Sequence, residues 1–268
     1  MPERNQRRGS DSVTLILALK GSDGLVLAAD SRGTYGDPRA GTAQNDSMVK
    51  VHQLSKHAGL LITGDSGLGN QILAGFPQDR AAAVSTPVLV EAFRQYVRAQ
   101  HTAWFQTFAV QPMQGMPVPL RPQVSFVIAG YEYDSEGKSA APVLYSLPTT
   151  YDFAPVRMDH GFALDGIAQY ALYLFNRLYR DGYSTEQLQS LAAYAITETA
   201  SQDGKVGGPI RMATISPEHG YQGIPSNIVE NLVAQNVGRS EALRKSFFGE
   251  DHERQERQSD GEREHATS

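Results

Sequence analysis

The chain contains 268 residues, 40% of them hydrophobic, and has a formal net charge of -5. A chain of this size can bury a substantial hydrophobic core, so we expect a soluble globular protein. Because it contains 0 cysteines, disulfides, thiolate metal sites and a cysteine nucleophile are excluded, and its acidic balance disfavours a nucleic-acid partner.

Residues 1–13 are polar and show no hydrophobic periodicity, which indicates a disordered leader or a propeptide. They include basic residues but no apolar region of the kind that a secretory signal needs. No stretch of the sequence reaches the roughly 18 consecutive apolar residues of a membrane helix. We therefore predict that the protein has no membrane partner and is cytoplasmic.

The stretch from Thr14 to Gly36 has the pattern of a β-hairpin. Two apolar runs, Leu15 to Leu19 and Leu25 to Ala29, flank a polar turn that contains Asp-Gly. Their apolarity is continuous rather than alternating, so both faces of the two strands should be covered. A threonine thus precedes one buried strand, and the residues that follow the other strand include Asp30, Arg32 and Thr34.

The next segment alternates loops and short strands. Residues 37–47 are rich in glycine, proline and polar side chains and are predicted to form a loop, whereas strands are predicted at 48–54 and 59–63. The sequence Gly64-Asp65-Ser66-Gly67 ends the second of these strands. We predict that a helix then begins at Asn70.

Apolar residues recur at helical spacing from Pro87 to Phe108, which predicts a long amphipathic helix. An irregular excursion rich in proline and glycine follows at 111–122. Beyond it, strands are predicted at 124–131 and 142–147, paired across a polar turn.

Two further helices are predicted at 167–178 and 188–199, the second preceded by a capping box of Ser184 and Gln187. A strand follows at 210–215. This order of elements predicts an α+β fold, a four-layer αββα sandwich of two antiparallel sheets flanked by helices. We place this domain at 14–238 and a charged, disordered tail at 239–268.

One short motif points to a different enzyme. Gly64-Asp65-Ser66-Gly67 matches the surroundings of the nucleophile in chymotrypsin-like serine proteases, but only His52 and His57 precede Ser66, and they lie too close to it for the usual triad. The alternative is a tight turn whose glycines allow close backbone approach. The histidines show no metal-binding spacing, so no metal or other cofactor is predicted.

Three blocks of the sequence resemble the proteasome β-type subunits, which belong to the N-terminal nucleophile (Ntn) hydrolases. The blocks are Thr14 to Thr34 with AADSR, Met48 to Gly67 with TGDSG, and Asp203 to Gly223 with D-x-x-x-GG. They occur in the order of the family, and the resemblance covers about Thr14 to Asn236. It implies an Ntn-hydrolase-like fold.

Position by position, the resemblance implies a catalytic site built on Thr14. Thr14 corresponds to the nucleophilic threonine, and Lys50 corresponds to the lysine that lowers the proton affinity of this nucleophile. Asp30 corresponds to the aspartate that contacts the lysine, and Arg32 to a supporting arginine beside it. Asp203 corresponds to the aspartate that completes the catalytic cluster.

Substrate binding is assigned by the same resemblance to Thr34 and Gly64, whose backbones would hold an extended peptide. The Gly64 amide would also stabilise an oxyanion. A threonine hydroxyl needs a nearby amine to take its proton, and a free α-amino group or a partly deprotonated buried lysine can do so near neutral pH. For each charged residue, the alternative is a buried ion pair that only fixes the loops.

The chain departs from the family at several positions near Thr14. Val13 stands where glycine usually precedes the nucleophile, and Leu15 stands where a second threonine is common. The two serines that the family places near the threonine are absent, since the equivalent positions are Asp165-Gly166 and Val206. Without removal of the leader, Thr14 would lack a free amine and hydrolysis would be very weak.

The resemblance implies a threonine-type peptidase that cleaves peptides or unfolded proteins inside a homo-oligomeric ring, with an unfoldase as a further partner. The alternative is a non-catalytic ring subunit in which Thr14 is only a strand residue. The AADSR block and Lys50 favour the enzyme, whereas Val13 and the missing serines favour the structural role.

Overall fold

The computed structural model describes residues 14–37, 41–77, 79, 85–105, 122–134 and 140–248. We number its elements in chain order. The strands are β1 (Leu15–Lys20), β2 (Leu25–Ala29), β3 (Gly33–Asp37), β4 (Gly41–Asn45), β5 (Val51–Ser55), β6 (Ala58–Gly64), β7 (Val124–Tyr133), β8 (Ala140–Pro148), β9 (Val156–Arg157), β10 (Phe162–Gly166), β11 (Arg211–Ser216) and β12 (Gly220–Gly223). The α-helices are α1 (Ser66–Ala74), α2 (Thr86–Phe105), α3 (Gln169–Leu178), α4 (Thr185–Gln202) and α5 (Ser226–Phe248).

The hairpin predicted near the start of the chain lies inside the first sheet. β1 and β2 pair antiparallel with Ile16 opposite Ala29, and the order of strands is β10-β1-β2-β11-β12. Every side chain from Leu15 to Leu19 and from Leu25 to Ala29 is fully buried. The continuous apolar runs therefore do mark strands that are covered on both faces.

The second sheet contains the remaining long strands, in the order β5-β6-β7-β8-β9. All its pairs are antiparallel, and β6 ends with Gly64 opposite Val124 of β7. The inner faces of the two sheets meet in an apolar core that includes Ile16, Leu27 and Leu61. This core holds the ends of β2 and β5 next to each other.

A helix layer covers the outer face of each sheet. Apolar side chains of α3, α4 and α5 pack on the first sheet around Leu17 and Val26. On the second sheet, α1 and α2 pack around a group of aromatic rings in which Phe93 contacts Phe126 edge to face, with ring centroids 5.1 Å apart. The layers run helices, sheet, sheet, helices, which confirms the predicted αββα sandwich.

Two helix starts show how local sequence sets the boundaries. The predicted capping box is present at the start of α4, where the Ser184 side chain accepts from the Gln187 amide and the Gln187 side chain accepts from the Ser184 amide. The helix predicted to begin at Asn70 begins instead at Ser66, with Asp65 as its N-cap. The prediction was wrong because the glycines before Asn70 were interpreted as a break in the chain. Gly69 instead lies inside the helix and allows close packing, since a Cβ there would lie 2.4 Å from Cγ2 of Ile62.

Two predicted boundaries differ from the structure because the residues concerned carry no apolar pattern. The predicted loop at 37–47 contains strand β4, which pairs with β3, and the described side chains at 43–47 are all exposed. The tail predicted from residue 239 is helical up to Phe248 as the end of α5, and its side chains there are exposed.

Several predicted segments lie outside the described residues. These are the leader at 1–13, most of the irregular excursion at 111–122, the centre of the turn after β7, and the last part of the tail at 249–268. Among the residues that are described, no helix is long and apolar enough to cross a membrane.

Candidate active site

Three of the predicted site residues lie next to strand ends, two in the first sheet and one in the second. Thr14 directly precedes β1, Asp30 directly follows β2, and Lys50 directly precedes β5. The antiparallel pairing of β1 and β2 continues to their ends, where the Asp30 amide donates to the Leu15 carbonyl at 3.3 Å. Thr14 is 3% exposed, and Asp30 and Lys50 are 0% exposed. The fold therefore gathers residues from both sheets into one buried cluster.

The Asp30 carboxylate is the centre of this cluster. Its Oδ1 accepts from the Leu15 amide at 3.0 Å and from Lys50 Nζ at 2.9 Å. Its Oδ2 accepts from the Arg32 and Gly207 amides, both at 3.1 Å. One carboxylate thus fixes the backbone at three separate points, because a buried anion needs each of its oxygens to be hydrogen-bonded.

Lys50 is held by two acceptors. Its Nζ donates to Asp30 and, at 2.6 Å, to the Arg32 carbonyl oxygen. Burial lowers the pKa of Lys50 below its usual range, and the neighbouring Asp30 carboxylate opposes this shift. The Lys50 ammonium is thus removed from water but still paired with the Asp30 carboxylate. A buried lysine of this kind can change the proton affinity of a nearby hydroxyl.

Thr14 is adjacent to this ion pair through its backbone. Because the Leu15 amide and Lys50 Nζ both donate to Asp30 Oδ1, these two nitrogens are less than about 6 Å apart. On the opposite side, the Thr14 carbonyl accepts from the Ile167 amide at 2.7 Å. The alternation of a strand gives the Thr14 side chain the same direction as Ile16, toward the second sheet.

Arg32 forms a second ion pair at the edge of the cluster. Its guanidinium donates to both carboxylate oxygens of Asp46, at 2.8 and 2.9 Å, and to the Gly204 carbonyl at 2.9 Å. The hydrogen bond between the two side chains raises the pKa of Arg32 and lowers the pKa of Asp46. Arg32 therefore connects the residues after β2 with the turn after α4.

The two predicted substrate-binding residues lie on different strands. Gly64 ends β6 with φ +76°, and a Cβ there would lie 2.3 Å from the Gln123 carbonyl oxygen, so this position requires glycine. β6 is tied to the lysine strand by the Ile62 amide, which donates to the Lys50 carbonyl at 3.1 Å. Thr34 lies in β3, opposite Gln44 of β4.

Asp203 lies at the C-terminal end of α4. Its side chain accepts from the Lys205 amide at 2.9 Å, which closes the turn that follows the helix. Besides the Gly204 carbonyl, which accepts from Arg32, this turn bonds to the cluster through Gly207, whose amide donates to Asp30 and whose carbonyl accepts from the Ser31 amide at 3.1 Å. In the sequence, Gly207 is identifiable only as a glycine of the D-x-x-x-GG block. Its role depends on a contact across 177 positions of the chain.

A further polar pair lies beside Thr14 that the motifs did not assign. Thr63 Oγ1 donates to Asp165 Oδ2 at 2.9 Å, and Asp165 Oδ1 accepts from the Gly166 amide at 2.7 Å. Asp165 lies on β10, a strand that the sequence pattern does not indicate because it is short and only partly buried. Val206, the other position that lacks the family serine, is fully buried in the core under α4.

Two carboxylates of the site are paired with cations of this chain, Asp30 with Lys50 and Asp46 with Arg32. Within the described part of the chain, no group of three or more histidine, cysteine, aspartate or glutamate residues could hold a metal ion. The chemistry that these residues can supply is acid–base and nucleophilic: a threonine hydroxyl, a buried lysine and backbone amides.

Comparison with solved structures gives the class of the fold. The chain matches the structure of a Gly-1 mutant of Anbu from Hyphomicrobium sp. strain MC1 with a TM-score of 0.63, over 87% of this chain and 96% of that one, at 18% sequence identity. Two antiparallel sheets between helix layers define an Ntn-hydrolase-like sandwich. The low identity means that this match describes the fold alone.

Comparison of sequences gives the family that the chain resembles. The model of the Proteasome subunit family matches residues 12–113. Proteasome subunit beta 2 of Thermomonospora curvata is 24% identical over 240 residues, which cover 84% of this chain and 76% of the relative. Proteasome subunit beta 1 of Thermococcus kodakarensis is 26% identical over 220 residues, covering 80% and 92%. These matches confirm the resemblance to proteasome β-type subunits.

Proposed function

We propose that the protein is a proteasome-type threonine peptidase whose nucleophile is Thr14, made N-terminal by removal of residues 1–13. The observation that carries this proposal is the fully buried ion pair of Lys50 and Asp30 beside Thr14, 2.9 Å between Nζ and Oδ1. A lysine is costly to bury, and this one is placed where the chain resembles a lysine that acts on a threonine hydroxyl.

The proposed reaction begins with the Thr14 hydroxyl. The α-amino group of Thr14 takes the hydroxyl proton, and the oxygen attacks the carbonyl carbon of a bound peptide. Lys50 already donates to Asp30 and to the Arg32 carbonyl. An ammonium has three donors, so Lys50 can give one more hydrogen bond, which we assign to the Thr14 oxygen. This positive charge favours the deprotonated hydroxyl.

Attack on the peptide produces a tetrahedral oxyanion. We assign its stabilisation to the Gly64 amide, at the end of β6 whose conformation only glycine can adopt. The C–N bond then breaks, the proton held by the α-amine passes to the leaving nitrogen, and an ester to Thr14 remains. Water, activated by the same amine, hydrolyses this ester and restores the hydroxyl.

The substrate and assembly follow from the same proposal. We assign the backbones of Thr34 and Gly64 to binding an extended peptide, as the family resemblance implies. The proteins that the chain resembles are named as proteasome subunits, and we propose a cytoplasmic homo-oligomeric ring that encloses the active sites. An unfoldase would deliver unfolded protein to this chamber.

A non-catalytic ring subunit is the second candidate, and one observation favours it. Each hydrogen bond described for Asp30 other than that from Lys50 comes from a backbone amide. This arrangement fits a cluster whose only role is to hold the strand ends together. The replacement of the family serines by Asp165 and Val206 points in the same direction.

Substitution of the nucleophile decides between the two candidates. Thr14→Ala should abolish hydrolysis of fluorogenic peptides, because no other group would attack the carbonyl carbon. The matched control is Thr14→Ser, which keeps a hydroxyl and should retain measurable turnover. Intact mass and N-terminal sequencing establish beforehand whether the purified chain begins at Thr14.

Turnover that survives Thr14→Ala would show that Thr14 is not the nucleophile. A chain that begins at Thr14, assembles normally and hydrolyses no peptide would support the non-catalytic subunit instead. Size-exclusion chromatography of both variants confirms that the substitution has not changed the assembly.

A further inference from the structure

Asp165 is the carboxylate that lies nearest to Thr14 along the ladder of β1 and β10. In this ladder Leu15 is opposite Gly166 and Ile16 is opposite Asp165. The Ile167 amide donates to the Thr14 carbonyl, so the pairing continues to Thr14 opposite Ile167. Asp165 is therefore a diagonal neighbour of Thr14, at a separation that is about 7–8 Å between such positions in antiparallel sheets.

The carboxylate of Asp165 also lies on the same side of the sheet as the Thr14 side chain. Side chains directly opposite each other in a ladder share a face, so Asp165 follows Ile16 toward the second sheet. The hydrogen bond from Thr63 of β6 confirms this direction, because β6 belongs to the second sheet. Thr63 is 2% exposed and Asp165 is partly buried, so the bond fixes the carboxylate at the margin of the buried region.

The charge of Asp165 is less compensated than the other charges around Thr14. Asp30 is paired with Lys50 and Asp46 with Arg32. The bonds described for Asp165 come from the Thr63 hydroxyl and the Gly166 amide, both neutral. In the turn after α4, Asp203 accepts from the Lys205 amide, but neither residue is on the ladder beside Thr14.

We propose that Asp165 is a positioning residue whose carboxylate, fixed by Thr63 and bonded, among the described residues, only to the neutral donors above, is a second anionic neighbour of the freed Thr14 α-amino group beside the paired Asp30, and keeps that amine protonated to higher pH. This inference rests on the proposed function, because it concerns the amine that acts as the base. A nearby opposite charge favours the charged form of a group. The serine that the family resemblance implies at this position is neutral, so we expect this chain to require a higher pH for turnover than a chain with that serine.

The test is the pH dependence of kcat/KM for a fluorogenic peptide, measured with protein that begins at Thr14. The neutral amine is the active form, so the acid limb of the profile reports its pKa. Asp165→Asn removes the charge but keeps an oxygen that can accept from Thr63. It should move the acid limb to lower pH by about half a unit to one unit. Asp165→Ser, a smaller neutral side chain, should give the same midpoint.

Thr63→Val is the matched control for structure. It removes the hydrogen bond to Asp165 but keeps the charge, so it should lower kcat while moving the acid limb less than Asp165→Asn does. Acid limbs that coincide for the wild type and both neutral variants, with all the proteins folded, overturn the proposal. A shift that Thr63→Val reproduces in full also overturns it.

A second readout separates this proposal from the proposed function. The rate at which cyanate carbamylates the Thr14 amine, followed by mass spectrometry as a function of pH, reports the pKa of the amine without any turnover. If the wild type hydrolyses no peptide, the proposed function fails, but a lower carbamylation midpoint in Asp165→Asn and Asp165→Ser still supports the electrostatic role. Equal midpoints for all three proteins refute it.

Discussion

Two ion pairs near the end of β2 have nearly the same geometry and different surroundings. Lys50 Nζ lies 2.9 Å from Asp30 Oδ1, and both side chains are 0% exposed. Arg32 Nε lies 2.8 Å from Asp46 Oδ1, with the side chains 21% and 43% exposed. The distance between charges is therefore a poor guide to what an ion pair contributes, and access to water is the better one.

The two ion pairs differ in how much the stability of the fold depends on them. Removing one partner of a buried pair leaves an uncompensated charge without water, which costs about 3–5 kcal/mol. Removing one partner of an exposed pair lets water and salt replace it. The pair that we assign to catalysis is thus also the pair that stabilises the strand ends more.

Loss of Lys50 should have the largest effect. Lys50→Ala removes the charge beside Thr14, so peptide hydrolysis should fall as completely as in Thr14→Ala. It also leaves Asp30 buried without its cation, and the free energy of unfolding should decrease by about 3–5 kcal/mol. Peptide turnover and urea denaturation measure the two effects.

The matched control for Lys50→Ala is Lys50→Met, which keeps most of the volume and removes the charge. It should be as inactive as the alanine variant and less destabilised, because it leaves a smaller cavity. A mild loss of activity in either folded variant would contradict the assigned role of Lys50.

Substitution of Asp30 should have an intermediate effect on stability. Asp30→Asn keeps the shape but replaces one acceptor oxygen with an NH₂ group, which then faces either the Leu15 amide and Lys50 or the Arg32 and Gly207 amides. A mismatch of this kind costs about 1–3 kcal/mol. Activity should fall by at least about tenfold because Lys50 loses its fixed position. Wild-type turnover in Asp30→Asn would show that the cluster is not catalytic.

The exposed pair should respond least. Asp46→Asn removes the charge next to Arg32, whose remaining bond to the Gly204 carbonyl is unaffected. The lowered pKa of Asp46 means that the pair contributes stability above the ordinary pKa of an aspartate and loses it as pH falls through the lowered value. Because water screens this pair, the melting temperature at neutral pH should fall by at most about 2 °C, and by less in high salt. A larger fall would show that the pair fixes the turn after α4.

The same contrast between buried and exposed residues decided what could be predicted from the sequence. Strands β1 and β2 were predictable because continuous apolar runs have few alternatives, and the residues around Asp30 and Lys50 form recognisable blocks. Strand β4 and the end of α5 were not, because backbone hydrogen bonds form them while the side chains at 43–45 and 239–248 are exposed to water. Periodicity reports burial, and these elements bury little.

Parts of the site were unpredictable for a different reason. Gly207 reaches Asp30 and Thr63 reaches Asp165 across long separations, 177 and 102 positions, which no local pattern encodes. The sequence could name Asp165 as the residue where a serine is usual, but its direction depends on the register of β10 against β1. Such contacts are properties of the packed sheets.

The hydrogen bond from the Leu15 amide to Asp30 means that the site opens only when the surrounding fold opens. The proton of this amide lies in a strand whose side chains from Leu15 to Leu19 are fully buried, and it can exchange with solvent deuterium only when β1 separates from its surroundings. Amides in such strands commonly exchange through openings that approach global unfolding. Slow deuterium uptake at Leu15 would therefore mean that the cluster persists for as long as the protein stays folded.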